Sequence, residues 1–234
     1  MGSLKKFFRS KDSEPKVEQK VEPAIEIMKI GDEEYKTVDI GNQVWMAENL
    51  KIKHYRNGDP IPNVTSGSEW DKLSTGARCS YNNNENNAYT YGYLYNWFAI
   101  TDNREIAPDG WHVPTDREWK YLEINLGMNQ LKVDILGLRG TNEGSKLAGR
   151  IDLWDDGSLK GNTAFSESGF SGLPGGFRYP GGKFDRLGNR GYFWSASAYD
   201  TGLAWWRHLD FNRSDAVRGY FSKLSGLSVR LVRD

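Results

Sequence analysis

The chain has 234 residues, and its 31 Lys and Arg balance its 31 Asp and Glu. That length can bury one substantial core, and the neutral balance gives no electrostatic reason to bind nucleic acid. No stretch is apolar enough to span a membrane, and one cysteine excludes an internal disulfide or a multi-cysteine metal site.

Residues 1–24 are dense in Lys and Glu around Pro15 and Pro23 and hold no Trp. This composition predicts a charged, flexible tail or linker, with the folded domain over 25–234. Leu4-Lys5-Lys6-Phe7-Phe8-Arg9 is basic but leads into no apolar run, so no signal peptide is visible. Cytoplasm, virion and cell surface all stay open. The domain itself is rich in glycine (26) and tryptophan (9), which predicts long irregular loops pinned by large buried rings.

Tyr35–Ile40 and Gln43–Met46 flank Gly41-Asn42, the pattern of a two-residue hairpin. Asn82–Asn87 holds one carboxylate among its asparagines. Calcium favours such oxygens but wants more carboxylates, so a self-satisfied Asn-rich turn is the stronger reading. Tyr91–Ile100 carries Leu94, Trp97 and Phe98 at helical spacing. Thr115 and Glu118 form a capping box for a helix over 116–126, with Trp119, Leu122 and Leu126 on one face and Gly127 ending it. Beyond Gly140 only Glu143–Ala148 reads as a short helix. Two early helices, short antiparallel strands and long Gly/Trp-rich loops give an α+β class.

The three histidines form no catalytic constellation. His112, inside Gly110-Trp111-His112-Val113-Pro114, reads as a structural hydrogen-bonder, and His54 has no companion. No nucleophile elbow, Walker loop or zinc-protease motif is present. No catalytic residue, metal ligand or cofactor is therefore assigned.

The segment Trp205–Phe221 is different. Strand alternation puts Trp205, Arg207, Leu209 and Phe211 on one face, expected in the core, with Arg207 bridging to a buried carboxylate. The opposite face, Trp206, His208, Asp210 and Asn212, is expected to be presented. Arg213, Ser214 and Asp215 form a turn, and Val217–Phe221 returns antiparallel, carrying Gly219, Tyr220 and Phe221 to the same surface. Aromatics mixed with polar groups have the composition of an interface. These ten residues, from Trp206 to Phe221, are the candidate ligand-binding set.

Several motifs carry a resemblance. They are Val38–Leu50 (VDIGNQVWMAENL), Tyr91–Trp97 (YGYLYNW), Pro108–Thr115 with Glu118-Trp119, Phe170–Arg178 (FSGLPGGFR), Phe193-Trp194-Ser195 and Ser228–Arg233 (SVRLVR). Together they resemble the Fibrobacter succinogenes major paralogous domain, from about residue 33 to the C-terminus. The resemblance implies a C-type lectin-like fold in the branch shared with formylglycine-generating enzymes, and no enzymatic role. Those enzymes use a cysteine pair in their C-terminal part, where this chain has none. Two cysteines expected to pair in relatives are Ala107 and Leu231 here, so this fold holds by packing alone. A buried Trp111 would then cost about 3–5 kcal/mol on truncation.

The C-terminus is also similar to the variable proteins of diversity-generating retroelements, whose hypervariable segment precedes a fixed last strand. Adenine-directed diversification of Asn codons yields residues such as those at His208, Asp210, Asn212–Ala216 and Gly219–Ser222, though not Trp206. The resulting expectation is a non-enzymatic module binding a protein or a cell-surface glycan. A structural module of a phage particle or envelope is the alternative, and a formylglycine-generating-like enzyme is further off.

Overall fold

The predicted hairpin forms near the start of the described part of the chain, residues 26–234 of a computed structural model; the expected tail, 1–24, lies outside them. Strand β1 (Ile27–Ile30) pairs with β2 (Glu33–Ile40), which turns through Gly41 into β3 (Gln43–Met46) with Ile40 opposite Gln43. Gly41 takes the left-handed backbone (φ 63°) that this tight turn requires.

Next come α1 (Gly67–Trp70), β4 (Arg78–Cys79), α2 (Glu85–Tyr91), β5 (Leu94–Tyr95) and α3 (Trp97–Ile100). The helical spacing over 91–100 is therefore interrupted. Gly92, at φ 76°, ends α2 after Tyr91, and Leu94-Tyr95 pairs with Arg78-Cys79 instead, so helix resumes only at α3. Strand β6 (Trp111–His112) leads into α4 (Asp116–Asn125), whose Thr115/Glu118 capping box is formed as expected. Gly127 follows the end of α4 with positive φ.

The rest is β7 (Gly137–Arg139), α5 (Glu143–Leu147), α6 (Ser158–Gly161) and β8 (Gly175–Arg178), followed by β9 (Phe184–Leu187) and β10 (Arg190–Ala198). Strands β11 (Leu203–Asp210), β12 (Ala216–Ser222) and β13 (Val232–Arg233) complete the chain. The architecture is α+β, with short helices around two main sheets. A five-stranded sheet has the order β1-β2-β3-β13-β6, and a six-stranded sheet β7-β12-β11-β10-β8-β9. The last strand thus inserts between early ones, with Val232 opposite both Trp45 and His112. Among the described residues no helix is long and apolar enough to cross a membrane.

Large rings pin the loops, as the composition suggested. Trp45, Trp119, Phe170 and Phe193 form one buried aromatic cluster with centroids 4.9–6.0 Å apart. Buried indoles donate to loop carbonyls: Trp154 Nε1 to Gly149 O at 3.0 Å, and Trp70 Nε1 to Leu224 O at 2.6 Å. Trp111 is only half-buried, with Arg233 beside its ring, so the large truncation cost expected there belongs to Trp119. The N- and C-terminal motifs meet at Arg230. Its guanidinium, fully buried, donates to Asn49 Oδ1, Met46 O, Phe170 O and Ser171 O.

Candidate functional site

Strands β11 and β12 form the expected antiparallel hairpin, with Trp205 opposite Tyr220 and Trp206 opposite Gly219. On the α4 side, Arg207 does bridge to buried carboxylates. Its Nε donates to Glu123 at 2.8 Å and its Nη1 to Asp116 at 2.9 Å. Arg139 takes the same Glu123 bidentately, both bonds 2.6 Å, and Arg218 takes Asp116 with two bonds of 2.9 and 2.8 Å. Burial alone would raise the Asp116 carboxyl; the bonds from Arg218 and the charge of Arg207 overturn that and hold it well below the usual carboxylate range. Three arginines and two carboxylates thus bolt β7, β11 and β12 to α4.

The opposite side departs from the expectation. Trp206, His208 and Asp210 are not presented: they are 7%, 8% and 5% exposed. The rings cover one another within the sheet. Trp206 stacks on His208 at 4.9 Å, Tyr192 packs against both, and Phe221 and Phe177 extend the plate. The Trp206 indole lies over Gly219, where an added Cβ would fall 2.6 Å from the ring. Asp210 is held by Arg190 at 2.6 Å and caps Asn212 N. Burial pushes the His208 imidazole down to about 3, with the Arg190 charge adding to the effect. Trp206 Nε1 and His208 Nδ1 are buried without a hydrogen-bond partner among the described residues.

The remaining candidates fall into separate groups. Asn212 and Arg213 are exposed at the turn, while Ser214 and Asp215 are half-buried there. Arg213 pairs with Asp215, and the Ser214 hydroxyl donates to Ser158 O. Tyr220 and Phe221 do not share a surface, since neighbours in a strand point oppositely: Phe221 joins the buried plate, and Tyr220 turns to the other side. There Tyr220 stacks on Tyr199 at 4.1 Å, with Trp205 edge-on to both and Arg218 lying 3.6 Å over the Trp205 ring. Tyr199 and Tyr220 are 45% and 37% exposed. Trp205, expected in the core, is only half-buried, as is Phe211. Tyr199 and Trp205 are the residues that sequence reasoning missed. The cross-strand register places Trp205 beside Tyr220, but register is not visible before the turn length is known.

Other chemistry-bearing groups serve the fold. His112 bridges Asp234 at 2.5 Å and Glu118 at 2.7 Å; these partners outweigh burial and raise its pKa. In the Asn-rich segment, Asn84 caps α2 through Asn86 N, Asn83 donates to Thr65 O and Asn87 to Tyr81 O. Cys79 is buried, and desolvation pushes its thiol up to about 11. Among the described residues no group of three His, Cys, Asp or Glu is placed to hold a metal ion.

Neither a curated protein nor a solved structure matches this chain. A family model does match, over residues 38–233, nearly the whole described domain. The chain belongs to the Fibrobacter succinogenes major domain family.

Proposed function

We propose that this domain is a non-enzymatic binding module of C-type lectin-like fold that recognises its ligand through the β11–β12 hairpin. The observation that carries this reading is the exposed ring stack of Tyr199, Tyr220 and Trp205, with Trp205 and Tyr220 on strands that the buried arginine–carboxylate network clamps to α4 and Tyr199 just beyond the end of β10. Rigid, half-exposed aromatics beside a cation are the usual anchors of an interface. The ligand-contacting members of the candidate set are then those with free surface on this side and at the turn: Tyr220, Asn212 and Arg213. Trp206, His208 and Asp210 support them from within the sheet. Five strand positions separate Tyr220's level from the turn, about 17 Å at 3.3 Å per residue. That span suits a protein or an extended glycan better than a single small molecule.

Diversification of the C-terminal segment belongs to the same reading, confined to side chains that leave the fold intact. Codon-level sequencing across the source population tests it. Substitutions at adenines of Asn212, Arg213 and Tyr220, with Leu209 and Arg207 unchanged, support it; an invariant segment removes it. For binding itself, the immobilised chain is exposed to surface proteins and glycans from the same source. A partner retained by the wild type and lost with Tyr199→Ala/Tyr220→Ala, at unchanged Tm, supports the assignment. Retention by that double variant overturns it.

A second reading, assembly into a particle or envelope, is favoured by the β7 edge. Leu136 and Leu138 there are each 49% exposed and Leu131 is 87% exposed. It predicts self-association visible in light scattering. The formylglycine-generating reading gains nothing from Cys79, whose buried, raised thiol is a poor nucleophile.

A further inference from the structure

A cavity of about 420 Å³ opens on another part of the molecule, between β2, the segment after β3, the end of α2 and the loop before β8. Its walls are charged unevenly. Lys36, Lys51 and Arg150 line it with one carboxylate, Glu48, in a chain whose formal charge is zero. Glu48 already accepts the Lys36 backbone N–H at 3.0 Å. Lys51, half-buried, reaches Glu33 at 3.3 Å, and Arg150 holds Asp152 with two bonds of 3.0 and 2.8 Å at the surface, so each of these cations already shares its charge with one carboxylate outside the cavity lining. The Lys36 ammonium has no carboxylate partner among the described residues.

A second observation lies directly behind the wall. Arg230 is fully buried, and every hydrogen bond it makes goes to a neutral oxygen; two of these belong to Asn49 and Ser171, which also line the cavity. Among the described residues no carboxylate hydrogen-bonds to this guanidinium. Burial pushes it down to about 9, with the nearby Glu48 charge opposing. A buried cation without a counterion is costly, and its field reaches the cavity through low-dielectric protein. The cavity is thus electropositive from its rim and from its back wall, which calls for an anion.

The rest of the lining says what kind. Tyr89 stands at the rim 81% exposed, an aromatic plane with nothing against it. The hydroxyls of Thr90 and Ser171 make no hydrogen bond within the described residues, and Glu48 keeps one free carboxylate oxygen. Free hydroxyls and a carboxylate oxygen suit a ligand with several OH groups, and an open aromatic face suits an apolar ring face. The volume lies at the lower end of small-molecule sites. We propose that this pocket holds an acidic sugar residue, its carboxylate met by Lys36, Lys51 and Arg150 and one face of its ring laid on Tyr89.

The test is an NMR or calorimetric titration with methyl glucuronide, using methyl glucoside and acetate as controls. Saturable binding of the glucuronide is expected, with the glucoside and acetate each at least about tenfold weaker, the scale of one charge-assisted contact or one stacking surface. Lys36→Ala and Arg150→Ala should each weaken the glucuronide about tenfold. Tyr89→Ala should weaken the glucuronide and leave acetate unchanged. All three side chains are exposed, so the variants should keep the wild-type Tm. Acetate bound as tightly as the glucuronide would mean a bare anion site, and equal binding of the glucoside would mean that charge is irrelevant; either overturns the assignment, as does absence of saturable glucuronide binding. Tyr220→Ala should leave this titration unchanged, so the result stands apart from the fate of the hairpin surface.

Discussion

The two sides of β11 solve the same burial problem with opposite chemistry. Facing α4, Arg207 is buried together with Arg139 and Arg218, and every one of these guanidiniums finds a carboxylate within 2.9 Å. Facing away, Trp206 and His208 are buried to a similar degree by neighbouring rings, with two ring nitrogens left unpaired among the described residues. The first side is stabilised only while all partners are present. The second loses contacts piecemeal. Charge in a core is cooperative, because removing one partner strands another; aromatic packing is graded by area.

The largest effect should therefore come from the charged side. Glu123→Ala leaves Arg139 and Arg207 buried with a lost partner and should cost about 3–5 kcal/mol in urea unfolding. A cost below that of Trp206→Ala would break the comparison. Trp206→Ala removes a 7% exposed indole from the plate and should cost about 3 kcal/mol, since its neighbours at the sheet surface can relax. A neutral result would mean that the plate is a presented surface after all.

Protonation separates the sides more finely. His208 has its folded pKa depressed to about 3, so its contribution is complete above the unfolded value of about 6.5 and is lost as pH falls. By pH 5 the loss should be about 2 kcal/mol, and His208→Gln should flatten the stability curve between pH 7 and 5. His112 runs the other way. Its folded pKa is raised, so its contribution is complete below about 6.5 and fades as pH rises through the folded value. Asp116, depressed, contributes above its unfolded value of about 3.9 and fails only in stronger acid. A stability maximum that moves upward in His208→Gln would contradict this assignment. The smallest effect belongs to Tyr220→Ala: about 0.5 kcal/mol or less, because its ring is half-exposed and the strand beneath is held by Arg218. A larger loss by thermal unfolding would place Tyr220 in the fold rather than at an interface.

Local signals were sufficient for several elements. Thr115 with Glu118 marks the start of α4, Gly41-Asn42 marks the hairpin, and alternation along Trp205–Asp210 marks a strand with two distinct sides. The family motifs were legible for a physical reason now visible: Asn49, Phe170, Ser171 and Arg230 belong to three of them and meet in one hydrogen-bond cluster. Tyr91–Ile100 misled because its spacing fits a helix as well as a strand followed by a short helix, and Gly92 with the pairing to Arg78-Cys79 decides between them.

The sequence by itself determined the α+β class, the family, the β11–β12 hairpin and the need of Arg207 for a carboxylate. It could not say which carboxylate, because Glu123 and Asp116 lie 84 and 91 residues away along the chain. Nor could it say which side of β11 faces solvent. Alternation distinguishes two faces, but what covers each depends on elements brought in by the fold: α4 on one side, and Tyr192 and Phe221 from the neighbouring strands on the other. Tertiary structure alone therefore buried Trp206 and His208, turned Tyr220 outward beside Tyr199, and gathered Lys36, Lys51 and Arg150 around one cavity.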